Sequence, residues 1–168
     1  MLVRTVFLGA LLLLICCAAN AQNKTIVLVR HAEKAGETEM AKTGDPDLSP
    51  DGQARAKRLA EIVKKYKPHE IYATAYKRVQ ETVQPTAEYR HKQIQIYDPL
   101  KQNELIDHIL HGTTDHFLIA GHSNTIPMLV NALMKKEVFV KMPDTEYGVI
   151  YVVKIRKGDL RRVEVYEY

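Results

Sequence analysis

The sequence predicts an α/β domain, a three-layer sandwich whose mostly parallel central sheet carries helices on both faces. Three observations predict it. Short unbroken apolar runs at residues 26–29 and 117–120 suit strands buried on both faces. Segments with apolar residues at helical spacing fall between such runs, and the two kinds alternate along the chain. Polar clusters rich in arginine and histidine follow directly after the strands, where ligand sites of open α/β sheets form.

Residues 1–21 read as a targeting segment. Arg4 supplies a short positive start, residues 6–19 are almost wholly apolar, and Ala19-Asn20-Ala21 fits small-x-small cleavage chemistry. The apolar run is shorter than the roughly 20 residues that span a bilayer, so a cleaved secretory signal is expected, with export to the periplasm or the medium. No stable membrane insertion is expected after cleavage. The domain proper is then residues 22–168, and both cysteines, Cys16 and Cys17, leave with the signal. A cysteine nucleophile and a disulfide framework are thereby excluded, and a core of this size must hold the fold alone. Without Arg4, 23 basic residues face 20 acidic ones. That excess is too small to point to nucleic acid or an anionic membrane.

The elements follow in order. After the run at 26–29, residues 36–47 turn polar, and Gly44, Asp45 and Pro46 mark a loop. Ser49-Pro50 opens a helix, serine as cap and proline at its first position, with Leu59, Ile62, Val63 and Tyr66 as its buried face. A brief strand at 71–73 leads to a helix over 77–89, which Pro85 should kink or shorten. Ile94 and Ile96 alternate as a strand, and Leu105, Ile106, Ile109 and Leu110 mark another helix. The run at 117–120 precedes an amphipathic helix bearing Ile126, Leu129, Val130, Leu133 and Met134. Residues 149–168 form two alternating runs around Lys157-Gly158-Asp159, a hairpin. The tyrosines from Tyr147 onward read as strand packing.

Three clusters carry the chemistry: Arg30-His31-Ala32-Glu33, residues 74–78 ending in Arg78, and Gly121-His122-Ser123-Asn124. Together they offer two guanidinium groups and two imidazoles, a set suited to a phosphoryl dianion. Arginine presents a planar fork of donors that stays charged at any relevant pH. A neutral imidazole is a competent nucleophile when its other ring nitrogen is held, for instance by a backbone carbonyl. His108, His111 and His116 raise a metal reading, but no cysteine or glutamate joins them at a familiar ligand spacing, and a solvated helix end is the expectation. No metal and no cofactor is expected.

The chain resembles the histidine phosphatase superfamily, with its phosphoglycerate mutase-like fold. The resemblance rests on Leu28-Val29-Arg30-His31-Ala32-Glu33, then Ala73-Thr74-Ala75-Tyr76-Lys77-Arg78-Val79-Gln80-Glu81-Thr82, then Gly121-His122-Ser123, in that order. Leu48-Ser49-Pro50-Asp51-Gly52-Gln53-Ala54 is similar to the segment opening the family's first helix. The first motif departs from the commoner Arg-His-Gly in having Ala32, tolerable where the backbone needs no positive φ. The resemblance implies His31 as the phosphorylated nucleophile and Arg30, Arg78 and His122 as its phosphate pocket. It implies a phosphatase that works through a phosphohistidine without metal. Glu104 occupies a place comparable to the family's proton donor, with Asp98 as its rival, and Glu33 is expected to orient the loop around His31. The substrate class implied is a phosphorylated small molecule or a phosphorylated peptide. Two other outcomes fit the same motifs: a domain that binds phospho-ligands without turnover, and mutase-type transfer on phosphoglycerate, which export disfavours.

Overall fold

The structure, a computed structural model, describes residues 23–36 and 44–168. The expected signal peptide lies outside the described residues.

Strand β1 (Lys24–Arg30) is followed by helix α1 (Pro50–Val63), which ends in a 3₁₀ turn at Lys64–Tyr66. Then come β2 (Glu70–Ala73), α2 (Lys77–Arg90), β3 (Ile94–Ile96), α3 (Gln102–His111), β4 (His116–Gly121) and α4 (Thr125–Met134). The hairpin of β5 (Val149–Arg156) and β6 (Asp159–Glu167) closes the chain. The strands form one six-stranded sheet in the order β3-β2-β4-β1-β5-β6. The first four run parallel, and β5 and β6 are antiparallel additions on one side. The expectation of a mostly parallel sheet holds.

The unbroken apolar runs have a direct explanation. In β1, Ile26 and Leu28 enter the core beneath α3 and α4, while Val27 and Val29 enter the core beneath α1 and α2. Both faces of the strand are covered over residues 26–29, so that run is apolar throughout. The strand also reaches further than its apolar run, because Lys24 is buried at 2% exposure. Its ammonium donates to the carbonyls of Gly112 at 2.7 Å and Thr114 at 2.5 Å, filling acceptors left open beyond the end of α3.

Ser49 caps α1 as expected, its hydroxyl accepting from Gly52 N at 3.1 Å, with Pro50 in the first turn. Gly52 is required there by contact: a Cβ would stand 2.1 Å from the Glu33 carbonyl oxygen. The start of α1 therefore lies directly under the loop that leaves β1. Helix α2 runs on past Pro85 to Arg90, contrary to the expected shortening. Val79, Val83 and Ala87, all buried against the sheet, hold both sides of the proline in one helix, and packing outweighs the lost backbone bond. The closing hairpin turns through Lys157 (φ 53°) and Gly158 (φ 82°), the left-handed pair a tight turn needs.

Candidate active site

The carboxyl ends of β1, β2 and β4 lie side by side, so the three polar clusters converge. His31 N donates to the Gly121 carbonyl at 2.9 Å, extending the β1–β4 ladder one residue past Arg30. Ala32 N donates to Thr82 Oγ1 at 2.9 Å, and Thr82 Oγ1 donates to the Arg78 carbonyl at 2.7 Å. The second cluster is thereby fastened to the first. The His31 and His122 rings stand 5.5 Å apart at 69°.

The orientation of His31 is fixed. Its Nδ1 lies 2.8 Å from the Ala32 carbonyl oxygen. A carbonyl only accepts, so Nδ1 carries the proton and the lone pair sits on Nε2. Ala32 needs no positive φ and accommodates this geometry without glycine.

Arg30 is 5% exposed and is held by the backbone of the segment before β5. Nη1 donates to the carbonyls of Pro143 (2.8 Å) and Glu146 (2.6 Å), and Nη2 to that of Asp144 (3.1 Å). A guanidinium has five N–H donors. The edge shared by Nε and Nη2 keeps its Nε–H free, because Nε is buried with no partner among the described residues. That edge is a fork shaped for two oxygens of one anion. Arg78 Nε is likewise buried and without a partner among the described residues, and its Nη1 lies 3.7 Å from Asp45 Oδ1. Tyr147 lies under the Arg30 guanidinium at 4.1 Å and 6.0 Å from the His31 ring. Tyr76 does the same for Arg78 at 4.4 Å and for His122 at 5.2 Å. His122 Nε2 is 3.1 Å from Thr74 Oγ1.

The local field keeps both imidazoles neutral in the free protein. Burial, then the guanidiniums of Arg78 and Arg30 and the His122 ring, push His31 down to about 3, although the Ala32 carbonyl pulls the other way. Burial and the same two arginines push His122 down to about 4. These shifts make the fold acid-sensitive. The ordinary imidazole value is 6.5, so as pH falls below it the unfolded chain takes up protons that folded His31 refuses. Stability is full above 6.5 and is lost toward 3. Between pH 7 and 4 the unfolding free energy should fall by ~3 kcal/mol more in the wild type than in His31→Gln. Urea melts at the two pH values measure this, and parallel losses in both proteins would refute it.

Of the sequence-derived site residues, Arg30, His31, Arg78 and His122 are brought together. Glu33 forms a bidentate pair with Arg55 at 2.7–2.9 Å, and Arg55 Nη1 donates to the Tyr168 carbonyl. Burial works against the Glu33 carboxylate, but the Arg55 bonds prevail and hold it below the usual range. Glu104 sits in the first turn of α3 with its side chain 75% exposed, 3.9 Å from Lys101 Nζ. Asp98 Oδ1 accepts from Leu100 N. Among the described residues, no contact reaches from either carboxylate to the four clustered side chains. Their segment does adjoin the site, because Gln102 Nε2 donates to the carbonyl of Thr125, whose hydroxyl accepts from His122 N.

Sequence reasoning missed Tyr76, Tyr147 and the carbonyls of Pro143, Asp144 and Glu146. Tyr147, read as strand packing, is instead a wall of the site. Tyr76 had a signal, lying two residues before Arg78 in a recognised cluster. The three histidines considered together are separated: His108 Nε2 is 2.7 Å from Glu70 Oε2, His111 bonds the Asp107 carbonyl in its own helix, and His116 begins β4.

Residues 26–105 match the family model of the histidine phosphatase superfamily, branch 1. No curated protein matches the chain in sequence. Among solved structures, SixA from Agrobacterium tumefaciens superposes with a TM-score of 0.65 at 17% identity, covering 86% of this chain and 98% of that one. The protein histidine phosphatase SixA complexed with tungstate gives 0.69 at 14%, covering 85% and 96%. Mycobacterial glucosyl-3-phosphoglycerate phosphatase complexed with VO3 gives 0.63 at 14%, covering 86% and 99%. At such identities the likeness is one of fold, and it spans nearly the whole described chain. The family model and the fold both support a phosphatase. Over residues 26–105 the chain is similar to the histidine phosphatase superfamily, and its fold is the one these solved structures share.

Proposed function

We propose that this phosphatase hydrolyses a phosphomonoester, or a similar phosphoryl bond, through a phosphohistidine formed on His31 and without a metal ion. One observation carries the reading: the His31 ring is pinned through Nδ1 to the Ala32 carbonyl, leaving Nε2 unprotonated in a cluster bearing two unpartnered Nε–H donors. Nε2 attacks phosphorus, the phosphorus–oxygen ester bond breaks, and the alcohol leaves with a proton. Water then attacks the phosphohistidine and releases inorganic phosphate. The forks of Arg30 and Arg78 take the equatorial oxygens, where charge gathers in the transition state. Burial and then the two guanidinium charges depress His122; a bound dianion offsets those charges and favours the protonated imidazole, which donates to the same oxygens. Glu104, with Asp98 as its rival, is the proposed proton donor to the leaving oxygen, both standing on the segment that adjoins Thr125.

The substrate is a phosphorylated small molecule or a phosphorylated peptide. The similar structures include a protein histidine phosphatase and a glucosyl-3-phosphoglycerate phosphatase, one from each class. The proposed export of the mature domain after residue 21, to the periplasm or the medium, sets such substrates outside the cytoplasm and disfavours mutase-type transfer on phosphoglycerate. The test is rapid quenching with a labelled aryl phosphate. Label should appear on His31, decay as phosphate is released, and survive alkali but not acid. Turnover that leaves no protein-bound label at any time would overturn the phosphohistidine route.

A further inference from the structure

The opposite end of the sheet holds a second cluster of chemistry-bearing side chains that the phosphatase site does not use. β2 and β4 pair in parallel with Glu70 beside Phe117. One residue earlier, His69 N donates to the His116 carbonyl at 2.9 Å, so His69 and His116 are neighbours on the same face. Their rings stack at 5.4 Å and 12°. Asp115, adjoining His116, sets its carboxylate against both: Oδ1 is 2.7 Å from His69 Nδ1 and Oδ2 is 4.0 Å from His116 Nε2. His116 Nδ1 is enclosed and has no partner among the described residues, so Nε2 is the nitrogen it can offer. Ligand atoms of the three residues lie within 4.8 Å of one another.

The geometry points to a divalent transition-metal site of two imidazoles and one carboxylate, selective for an ion of the Zn²⁺ class. Around a tetrahedral zinc at ~2.1 Å from each ligand, the ligand atoms stand ~3.4 Å apart. The three groups are near that spacing and are exposed enough to close the difference by side-chain rotation. The ion takes the place of the proton shared by His69 and Asp115, and water completes its shell. Two imidazoles with one carboxylate suit zinc, copper or nickel and poorly suit Mg²⁺ or Ca²⁺, which seek all-oxygen shells. Strand β4 separates this cluster from His122 by about 20 Å. The ion therefore takes no part in phosphoryl transfer; it ties the segment entering β2 to the segment entering β4.

Calorimetric titration of the untagged protein with ZnCl₂ tests the site. One equivalent should bind and raise the melting temperature. Binding should weaken at least about tenfold in Asp115→Asn, which keeps a hydrogen bond to His69 but loses the charge, and should vanish in His69→Ala/His116→Ala. It should persist in His31→Ala, and aryl phosphate turnover by the metal-free His116→Ala protein should equal that of the metal-free wild type. Zinc binding lost in His31→Ala places the ion in the catalytic cluster and overturns the inference. So does binding unchanged by Asp115→Asn, or no uptake at about 100 µM zinc.

Discussion

His31→Ala should lower aryl phosphate turnover by a factor on the order of 10⁴ or more while leaving a folded protein at pH 7. The size follows from what the side chain supplies. It brings the attacking atom itself, pinned through Nδ1 to the Ala32 carbonyl and buried to 6% exposure. Without it, phosphorus can be reached only by water, which must be activated and positioned at the moment of reaction. A loss of 10⁴ corresponds to about 5 kcal/mol in the barrier. The residual rate should be above that of free solution, because Arg30, Arg78 and His122 still bind and polarise the phosphoryl group. Folding should survive at neutral pH because the His31 backbone, which bonds to Gly121, is untouched. Steady-state kinetics with a melting curve on each protein decide the matter. A variant that turns over within tenfold of the wild type would remove His31 from the centre of the mechanism.

The parts of this molecule written into local patterns were legible. The runs at β1 and β4 announce strands covered on both faces, and Ser49-Pro50 announces the start of α1. His31, Arg30, Arg78 and His122 could be placed in one cluster because each stands at or within a few residues of the carboxyl end of a parallel strand, and parallel strands share one carboxyl edge. What escaped depends on pairings distant in sequence. Arg30 is gripped by the Pro143, Asp144 and Glu146 carbonyls because β5 runs antiparallel beside β1, with Ile150 opposite Val29. The segment before β5 must then cross the end of β1 and carry Tyr147 over the guanidinium. No spacing of residues within 143–147 encodes that crossing. The same holds for His69 and His116, which become neighbours through the pairing of β2 with β4, whereas the helical spacing of His108 and His111 drew attention to residues that end up apart. Lys24 lies outside the apolar run, and its burial in β1 depends on carbonyl partners 88 and 90 residues away.

The two arginines of the pocket should fail in different ways when removed. Arg78→Ala should lower kcat/KM by about 10²–10³, the effect of losing one positioned donor group in phosphoryl transfer, with little change in stability. Its guanidinium is only loosely anchored, by Asp45 at 3.7 Å and by the Tyr76 face, so few native bonds are lost with it. Asp45 also accepts from Lys77 N and keeps that partner in the variant. Arg30→Ala should lower kcat/KM by at least as much and also destabilise the fold by about 2–4 kcal/mol, because three carbonyls in a partly buried segment lose their donor. Arg30→Lys should not rescue it, since one ammonium cannot serve three carbonyls and still present a fork to phosphate. Inorganic phosphate inhibition separates binding from chemistry in each variant, and denaturant melts report the stability difference. Equal stability losses in the two alanine variants would show that the segment at 143–146 does not depend on Arg30. An Arg78→Ala enzyme within threefold of the wild type would show that its unpartnered Nε–H does not face the phosphoryl oxygens.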